Sequence, residues 1–158
     1  MASTITAADL IVQVKETINL NGYDQGSNNK ITIEDITEIS KRIVTITTTE
    51  AEILKFASTI DAGRFIIADV RYMRFTNKDD TNFITLTFTN EDSDEVAIKL
   101  DAGQSFIWNA DNSGGLVDSF NAIQAGNAAS DTALADVTSV QADANTGACD
   151  LEIFVASA

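Results

Sequence analysis

The stretch FITLTFTNEDSDEVAIKL, residues 83–100, sets the pattern from which the fold is inferred. In its first half, Ile84, Leu86 and Phe88 alternate with threonines, and residues 95–100 alternate in the same way. A period of two is typical of a strand that buries one face and leaves the other in water. The polar run NEDSD between the halves predicts a turn. The stretch therefore predicts two half-buried strands joined by a tight connection.

The same alternation recurs along the chain, with short polar and Gly-containing segments between the apolar runs. Strands at this spacing are typical of a sandwich or a barrel. The sequence therefore predicts an all-β chain, with residues 1–158 forming one antiparallel β-sandwich of about nine or ten strands and little helix. Jelly-roll and immunoglobulin-like topologies both fit. The further apolar runs lie at 12–20, 44–46, 70–76, 104–108, 137–142 and 150–155.

The connections predict how the strands pair. Short polar turns separate four consecutive strands between residues 70 and 108, which predicts a meander. Residues 143–147 predict a further hairpin between the last two strands. Residues 51–57 fit a strand with Leu54 and Phe56 inward better than the helix that a capping box from Thr49 to Glu52 would begin.

Some segments are expected outside the core. Residues 1–9 predict an extended N-terminal arm. Residues 110–130, rich in Asn, Ala, Gly, Ser and Asp, predict a long loop excursion, within which 117–124 could form one or two helical turns. The chain has no Pro, a residue that many β-proteins use to protect strand edges. Charge, or pairing with a neighbouring molecule, must protect the edges instead.

Composition and charge exclude several classes of function. The chain has 24 acidic and 10 basic residues, a net charge of −14, no His and one Cys. Without His it has no Ser-His-Asp triad and no His-ligated metal, and one Cys forms neither a disulfide framework nor a thiolate zinc site. The negative charge disfavours nucleic acid and anionic membranes. We therefore expect a non-enzymatic protein with no cofactor, no nucleic-acid partner and no membrane contact. The start, MAST, lacks a basic and apolar leader, so synthesis in a cytoplasm is expected.

Two acidic clusters are the candidate metal ligands. Asp79 and Asp80 lie in one predicted turn, and Glu91, Asp92 and Asp94 lie in the next. Clustered carboxylates can bind Ca²⁺, which takes several oxygen ligands, or they can simply keep a turn solvated. Because successive turns project from opposite ends of a sheet, the two clusters are expected to lie apart.

Three arginines are the candidate interface residues. Arg64, Arg71 and Arg74 concentrate much of the positive charge in one segment. They form either internal ion pairs or contacts with another protein. Cys149 is expected to be a small buried side chain. Trp108 continues the inward register of Phe106, which favours a core position over an exposed sugar-binding platform.

Two stretches carry a resemblance to a known class of proteins. DVRYMRFTNKDDTNF, residues 69–83, and KLDAGQSF, residues 99–106, resemble a pattern in small β-sandwich virion structural proteins of tailed bacteriophages, including cyanophages. KRIVT, residues 41–45, and the ending DLEIFV, residues 150–155, are similar as well. The resemblance follows strands and turns, so it implies a structural role and transfers no active-site residues.

The resemblance implies a capsid decoration, or cement, protein on the exterior of the virion. Its expected partners are the major capsid protein and further copies of itself, in a homo-oligomer such as a trimer. Residues 1–9 and 110–130 are the candidate contact segments. A tail component (a tube, adaptor or fibre-base protein) and a module that binds host glycans or receptors are the alternatives.

Overall fold

A computed structural model describes residues 4–122 and 134–158 of the chain. These residues form strands and one short 3-10 turn, Ile67–Asp69. The expected all-β fold is confirmed, and strands of only two residues raise their number above the predicted nine or ten. The strands are β1 (Ala8–Glu16), β2 (Asn19–Leu20), β3 (Tyr23–Asp24), β4 (Ser27–Ile36), β5 (Glu38–Ile46), β6 (Ala51–Ala57), β7 (Phe65–Ile66), β8 (Val70–Asn77), β9 (Ile84–Asn90), β10 (Glu95–Leu100), β11 (Ser105–Asn109), β12 (Val137–Ala144) and β13 (Cys149–Ser157).

Two sheets pack face to face as a sandwich. One sheet has five strands in the order β10-β9-β12-β6-β7, and the other has four in the order β11-β8-β13-β5. Neighbouring strands are antiparallel except for the short β6–β7 pair, which is parallel. The strands β10 and β11 are both edge strands, one in each sheet.

The core lies between the two sheets, where the alternation of the sequence places it. Ile84, Leu86 and Phe88 are almost fully buried. Phe88 packs edge-on against Phe75 of the opposite sheet, with 5.9 Å between ring centroids. Leu54 is also buried, which confirms that residues 51–57 form an inward-facing strand rather than a helix.

The predicted meander is wrong. β9 pairs with β10, but β8 and β11 lie in the other sheet, so residues 78–83 and 101–104 cross from one sheet to the other. The predicted hairpin between the last two strands is wrong for the same reason, because β12 and β13 lie in different sheets. A short polar connection has the same turn residues whether its strands pair or face each other across a core.

The described part of the long excursion is bound to the sandwich. Residues 117–122 contain turns and a single bridge from Phe120 to Ala135, so they form no helix. Leu116 is fully buried, and its amide donates to the Ile67 carbonyl at 3.0 Å. The rest of the predicted loop, residues 123–130, lies outside the described residues. Within those residues, no helix is long and apolar enough to cross a membrane.

A hairpin lies outside both sheets. β1 pairs with β4, and the two-residue strands β2 and β3 close its tip. Residues 1–3 of the predicted N-terminal arm lie outside the described residues, whereas 4–7 are exposed and precede β1. Most of β1 and β4 is exposed as well, although the alternation at residues 12–20 predicted a half-buried strand, and no strand was predicted where β4 lies.

Candidate functional site

The hairpin of residues 8–36 is hereafter called the arm; it is a different segment from the N-terminal arm predicted at residues 1–9. Among the described residues, it packs on the sandwich at its base. Ile33 and Ile36 are buried against Tyr72 and Ala156, on the outer face of the four-stranded sheet. Leu10 faces Ile33 across the hairpin and packs on the same cluster. This contact determines where the arm leaves the body.

The distal half of the arm has apolar side chains that nothing covers within the described residues. Every residue from 13 to 25 is exposed. Val12 and Ile31 are paired in the register, and Val14 lies two positions further along β1, so the apolar face of the base continues outward. The large apolar residues of the arm that are exposed, by 38% to 72%, are Ile11, Val14, Ile18, Leu20, Tyr23 and Ile31.

The tip of the arm is specified by its own sequence. Asn21 and Gly22 both have positive φ, 53° and 85°, as a two-residue type I′ turn requires. A Cβ on Gly26 would lie 2.4 Å from the Glu16 carbonyl oxygen, so only glycine allows the two strands to approach there. The Gln25 amide also donates to the Ile18 carbonyl at 3.0 Å. The residues of the turn and their hydrogen bonds therefore determine the conformation of the tip, although the arm has no hydrophobic core of its own.

The outer part of the arm, residues 11–31, has no net charge, whereas the whole arm of residues 8–36 has five acidic and two basic residues. Residues 11–31 contain Lys15 and Lys30 against Glu16 and Asp24, whereas the whole chain has a charge of −14. Another negatively charged molecule can therefore approach residues 11–31 with less repulsion than it meets at the strongly acidic segments of the chain.

A second feature is an apolar groove between β10 and β11, the two edge strands on one side of the sandwich. Its volume is about 390 Å³. The ring centroid of Trp108 lies 5.2 Å from that of Phe88 and 6.4 Å from that of Phe120. Asn109 is the one polar residue among the described residues that line the groove, which are Phe88, Val96, Ile98, Phe106, Ile107, Trp108, Asn109 and Phe120.

The groove is bordered by strand edges. β10 pairs with β9 and β11 pairs with β8, and no other described strand pairs with either of them. Val96 and Ile107 are both 41% exposed on these strands. Trp108 packs against the core as expected, but it is only half-buried because it also lines the groove.

The two acidic clusters lie at opposite ends of β9, as expected, about 20 Å apart by the rise of a seven-residue strand. An oxygen of Asp79 accepts hydrogen bonds from the amides of Asn82 (2.6 Å) and Thr81 (2.8 Å), which lower the pKa of its carboxyl group. Asp80 accepts a bond from the Thr81 hydroxyl at 3.0 Å. The Asp79 carboxylate is thus used to shape its own turn.

The second cluster is likewise engaged with neighbouring backbone and side chains. Glu91 accepts a bond from the amide of residue 136 at 3.4 Å, Asp92 from the Asn121 side chain at 3.2 Å, and Asp94 from the amide of residue 122 at 3.3 Å. Across residues 4–122 and 134–158, no three acidic, Cys or His side chains are placed to hold a metal ion. Calcium binding therefore gains no support from the geometry.

The three arginines have separate surroundings. Arg74 Nη2 lies 2.5 Å from Glu152 Oε1, and this contact lowers the pKa of Glu152. Arg64 Nε lies 3.2 Å from an Asp61 carboxylate oxygen. Arg71 donates to the backbone oxygen of residue 68 at 2.6 Å. Arg74 and Arg64 thus make internal ion pairs, and a role for the three in an interface remains a prediction.

Comparison with known proteins adds little to this geometry. No protein-family model matches the chain, and no curated protein matches it. Among solved structures, it is similar to a chain from the Bacillus endospore appendages, described as a family of disulfide-linked pili, with 12% identity over 99% of this chain and 96% of that chain and a TM-score of 0.45. It is also similar to Pseudomonas aeruginosa AlgX, with 15% identity over 75% of this chain and 26% of that chain and a TM-score of 0.43.

Proposed function

We propose that this chain is a structural subunit of a virion, of the capsid decoration type, that binds an assembled shell from outside. The main support for the proposal is the arm, a hairpin that exposes six large apolar side chains. The resemblance in residues 69–83 and 99–106 suggests the kind of assembly.

The arm needs a partner on energetic grounds. A two-stranded hairpin is at best marginally stable in water without packing against other elements. Burying one large aliphatic side chain contributes about 1.5–3 kcal/mol. Because nothing described covers Val14, Leu20 or Tyr23, a protein that packs over them would stabilise both the arm and the complex.

A decoration protein needs contacts with the shell as well as with its own copies. The edge strand β5 offers a separate apolar surface, because Ile39 and Ile43 are 58% and 59% exposed. We assign the shell contact to β5 and the contact between copies to the arm. The acidic body would keep free subunits apart and in solution until they dock.

The copy number in purified virions, measured by quantitative mass spectrometry against the major capsid protein, tests this function. A number comparable to that of the capsid subunit is expected. A much smaller number, in multiples of three or six, would favour a tail component instead. Absence from the particle would overturn any virion function.

A pair of variants tests the shell contact. Replacing Ile39 and Ile43 with Ser should lower the occupancy on virions, because it removes apolar contact area from β5. Replacing Ile60, which is 90% exposed in the connection between β6 and β7, with Ser is the matched control and should leave occupancy unchanged. Equal occupancy of the two variants would contradict the assignment of β5.

A further inference from the structure

We propose that the arm of one copy binds in the groove between β10 and β11 of a second copy, so that the chain assembles head to tail. This inference deepens the proposed function by naming the partner of the arm. It is tested on purified protein in solution and therefore stands or falls separately from the virion assignment.

The two surfaces match in chemistry. The arm presents Val14 and Ile31, which are 43% and 38% exposed, on one face, and Ile31 borders a cavity that Asn109 of the same copy also lines. The groove offers a floor of Phe88, Phe106 and Trp108 and a volume of about 390 Å³. None of the residues that line the groove comes from the arm of the same copy. Apolar side chains that enter a pocket at the centre of an interface are the usual source of binding energy.

The backbones match as well. The groove lies between two edge strands, and β1 and β4 each pair only with the other, so each strand of the arm has a free edge among the described residues. An extended segment can bind such edges by adding its own hydrogen bonds to the sheet. The chain has no Pro, so every residue within the arm and the two edge strands has an amide N–H to donate.

Charge permits a second copy as the partner. Two bodies of the same acidic chain repel each other, but residues 11–31 of the arm have no net charge. The arm contributes Lys15 and Lys30, whereas β10 begins with Glu95 directly after Asp94. An arm in the groove would therefore bring its lysines toward the acidic end of β10.

The length of the arm is sufficient for an interface of this kind. A stable interface of standard size takes about 20–30 residues from each partner, which is the length of residues 11–31. Because the two contacting surfaces differ, the interface is heterologous and propagates into rings or filaments rather than stopping at a two-fold dimer.

Two variants that each disable one surface test the proposal. The arm variant carries Val14→Ser and Ile31→Ser, the groove variant carries Val96→Ser and Ile107→Ser, and Ile60→Ser is the control. All four substituted positions are exposed, so the fold should be retained, as circular dichroism and thermal melting would verify. Sedimentation velocity should show concentration-dependent assembly of the natural chain and of the control. The affinity of self-association should be lower by about tenfold or more for the arm variant and for the groove variant.

Mixing the two variants gives the decisive result. The arm variant retains an intact groove and the groove variant an intact arm, so an equimolar mixture should form heterodimers and nothing larger. Acrylamide quenching of Trp108 should decrease on mixing, because one groove in each heterodimer becomes covered. A natural chain that stays monomeric, or a mixture that stays monomeric, would overturn the proposal. Assembly of the arm variant by itself with the same affinity as the natural chain would overturn it too.

Crosslinking provides a second test if a serine variant fails to fold. A chain carrying Ile31→Cys and Val96→Cys should form disulfide-linked dimers and higher species under mild oxidation. A chain carrying Ile60→Cys and Val96→Cys should not. The native Cys149 is buried, so it should not interfere. Equal crosslinking of both chains would contradict an arm-in-groove contact.

Discussion

Asn77, at the end of β8, donates a hydrogen bond from its side-chain nitrogen to the backbone oxygen of Leu100, 3.1 Å away at the end of β10. The two strands belong to different sheets, so this bond joins the sheets at one end of the sandwich. The same nitrogen donates to the Asn82 carbonyl at 2.8 Å, and the side-chain oxygen accepts from the Asp79 amide at 3.0 Å. Asn77 is fully buried, and its three bonds hold the connection that crosses between the sheets.

Replacing Asn77 with Ala should therefore destabilise the fold. It leaves the carbonyls of Leu100 and Asn82 without these donors, and a buried polar group that loses its partner costs about 1–3 kcal/mol. We expect a decrease of that size or more in the free energy of unfolding, measured by urea titration. Asn112→Ala, at an exposed position, is the control and should change it by less than about 0.5 kcal/mol. Equal stabilities would contradict the role assigned to Asn77.

Gly115 holds the segment after β11 close to the sandwich. It has a φ of 63°, and a Cβ there would lie 2.4 Å from the Ile67 carbonyl oxygen. Gly63 has a similar φ, 74°, but a Cβ on it would meet nothing within 4 Å. Gly63→Ala should cost about 1–2 kcal/mol for the left-handed backbone. Gly115→Ala should lower the stability clearly more, because the backbone at Ile67 must also move away from the added Cβ. Equal shifts of the melting temperature would show that the close approach is unimportant.

Cys149 should resist thiol reagents in the folded protein. It is 1% exposed, and burial, together with the nearby negative charge of Asp79, raises the pKa of its thiol. The thiolate is the reactive form, so both burial and the raised pKa slow the reaction. Labelling with a chromogenic disulfide should be slow in buffer and rapid in guanidinium chloride. Fast stoichiometric labelling of the folded chain would contradict the buried position.

The sequence predicted the strands better than their partners. The alternation of Ile84, Leu86 and Phe88 places these side chains in the core without ambiguity. It does not determine which sheet a strand joins, because residues 78–83 have the same polar turn chemistry in a hairpin as in a crossing connection. The buried Asn77 distinguishes the two, and its role depends on Leu100, a residue distant in sequence that no local pattern connects to it.

The candidate site was predicted only in part, since alternation identifies an apolar face but not what covers it. Val12 and Val14 follow the same pattern on β1, yet Val12 packs on the cluster at the base of the arm whereas Val14 is 43% exposed. The absence of Pro indicated strand edges available for assembly, but the hairpin itself was not predicted, although Asn21-Gly22 is a typical pair for a type I′ turn. The groove could not be predicted, because Phe88, Trp108 and Phe120 meet only when the two sheets pack.

The ion pair of Glu152 with Arg74 predicts a dependence of stability on pH. Arg74, and more weakly Lys41 at 3.5 Å, hold the pKa of Glu152 below its ordinary value. A carboxyl group with a lowered pKa in the folded state stabilises the fold above its ordinary pKa of about 4.3, and this contribution is lost as the pH falls through the folded value. Because Glu152 is near the surface, solvent screens the ion pair. We therefore expect the pair to add about 0.5–1 kcal/mol to the free energy of unfolding at pH 7.

Glu152→Gln should therefore lower the free energy of unfolding at neutral pH and have no effect well below the ordinary carboxyl pKa, where the natural Glu152 becomes protonated as well. Urea titrations at the two pH values measure the difference. Glu50→Gln, in an exposed loop, is the control for removing one negative charge from an acidic chain, and relief of repulsion should make it neutral or slightly stabilising. Two results would show that the ion pair does not stabilise the sheet. Glu152→Gln and Glu50→Gln could have the same free energy of unfolding at neutral pH, or Glu152→Gln could be less stable than the natural chain by the same amount in acid as at neutral pH.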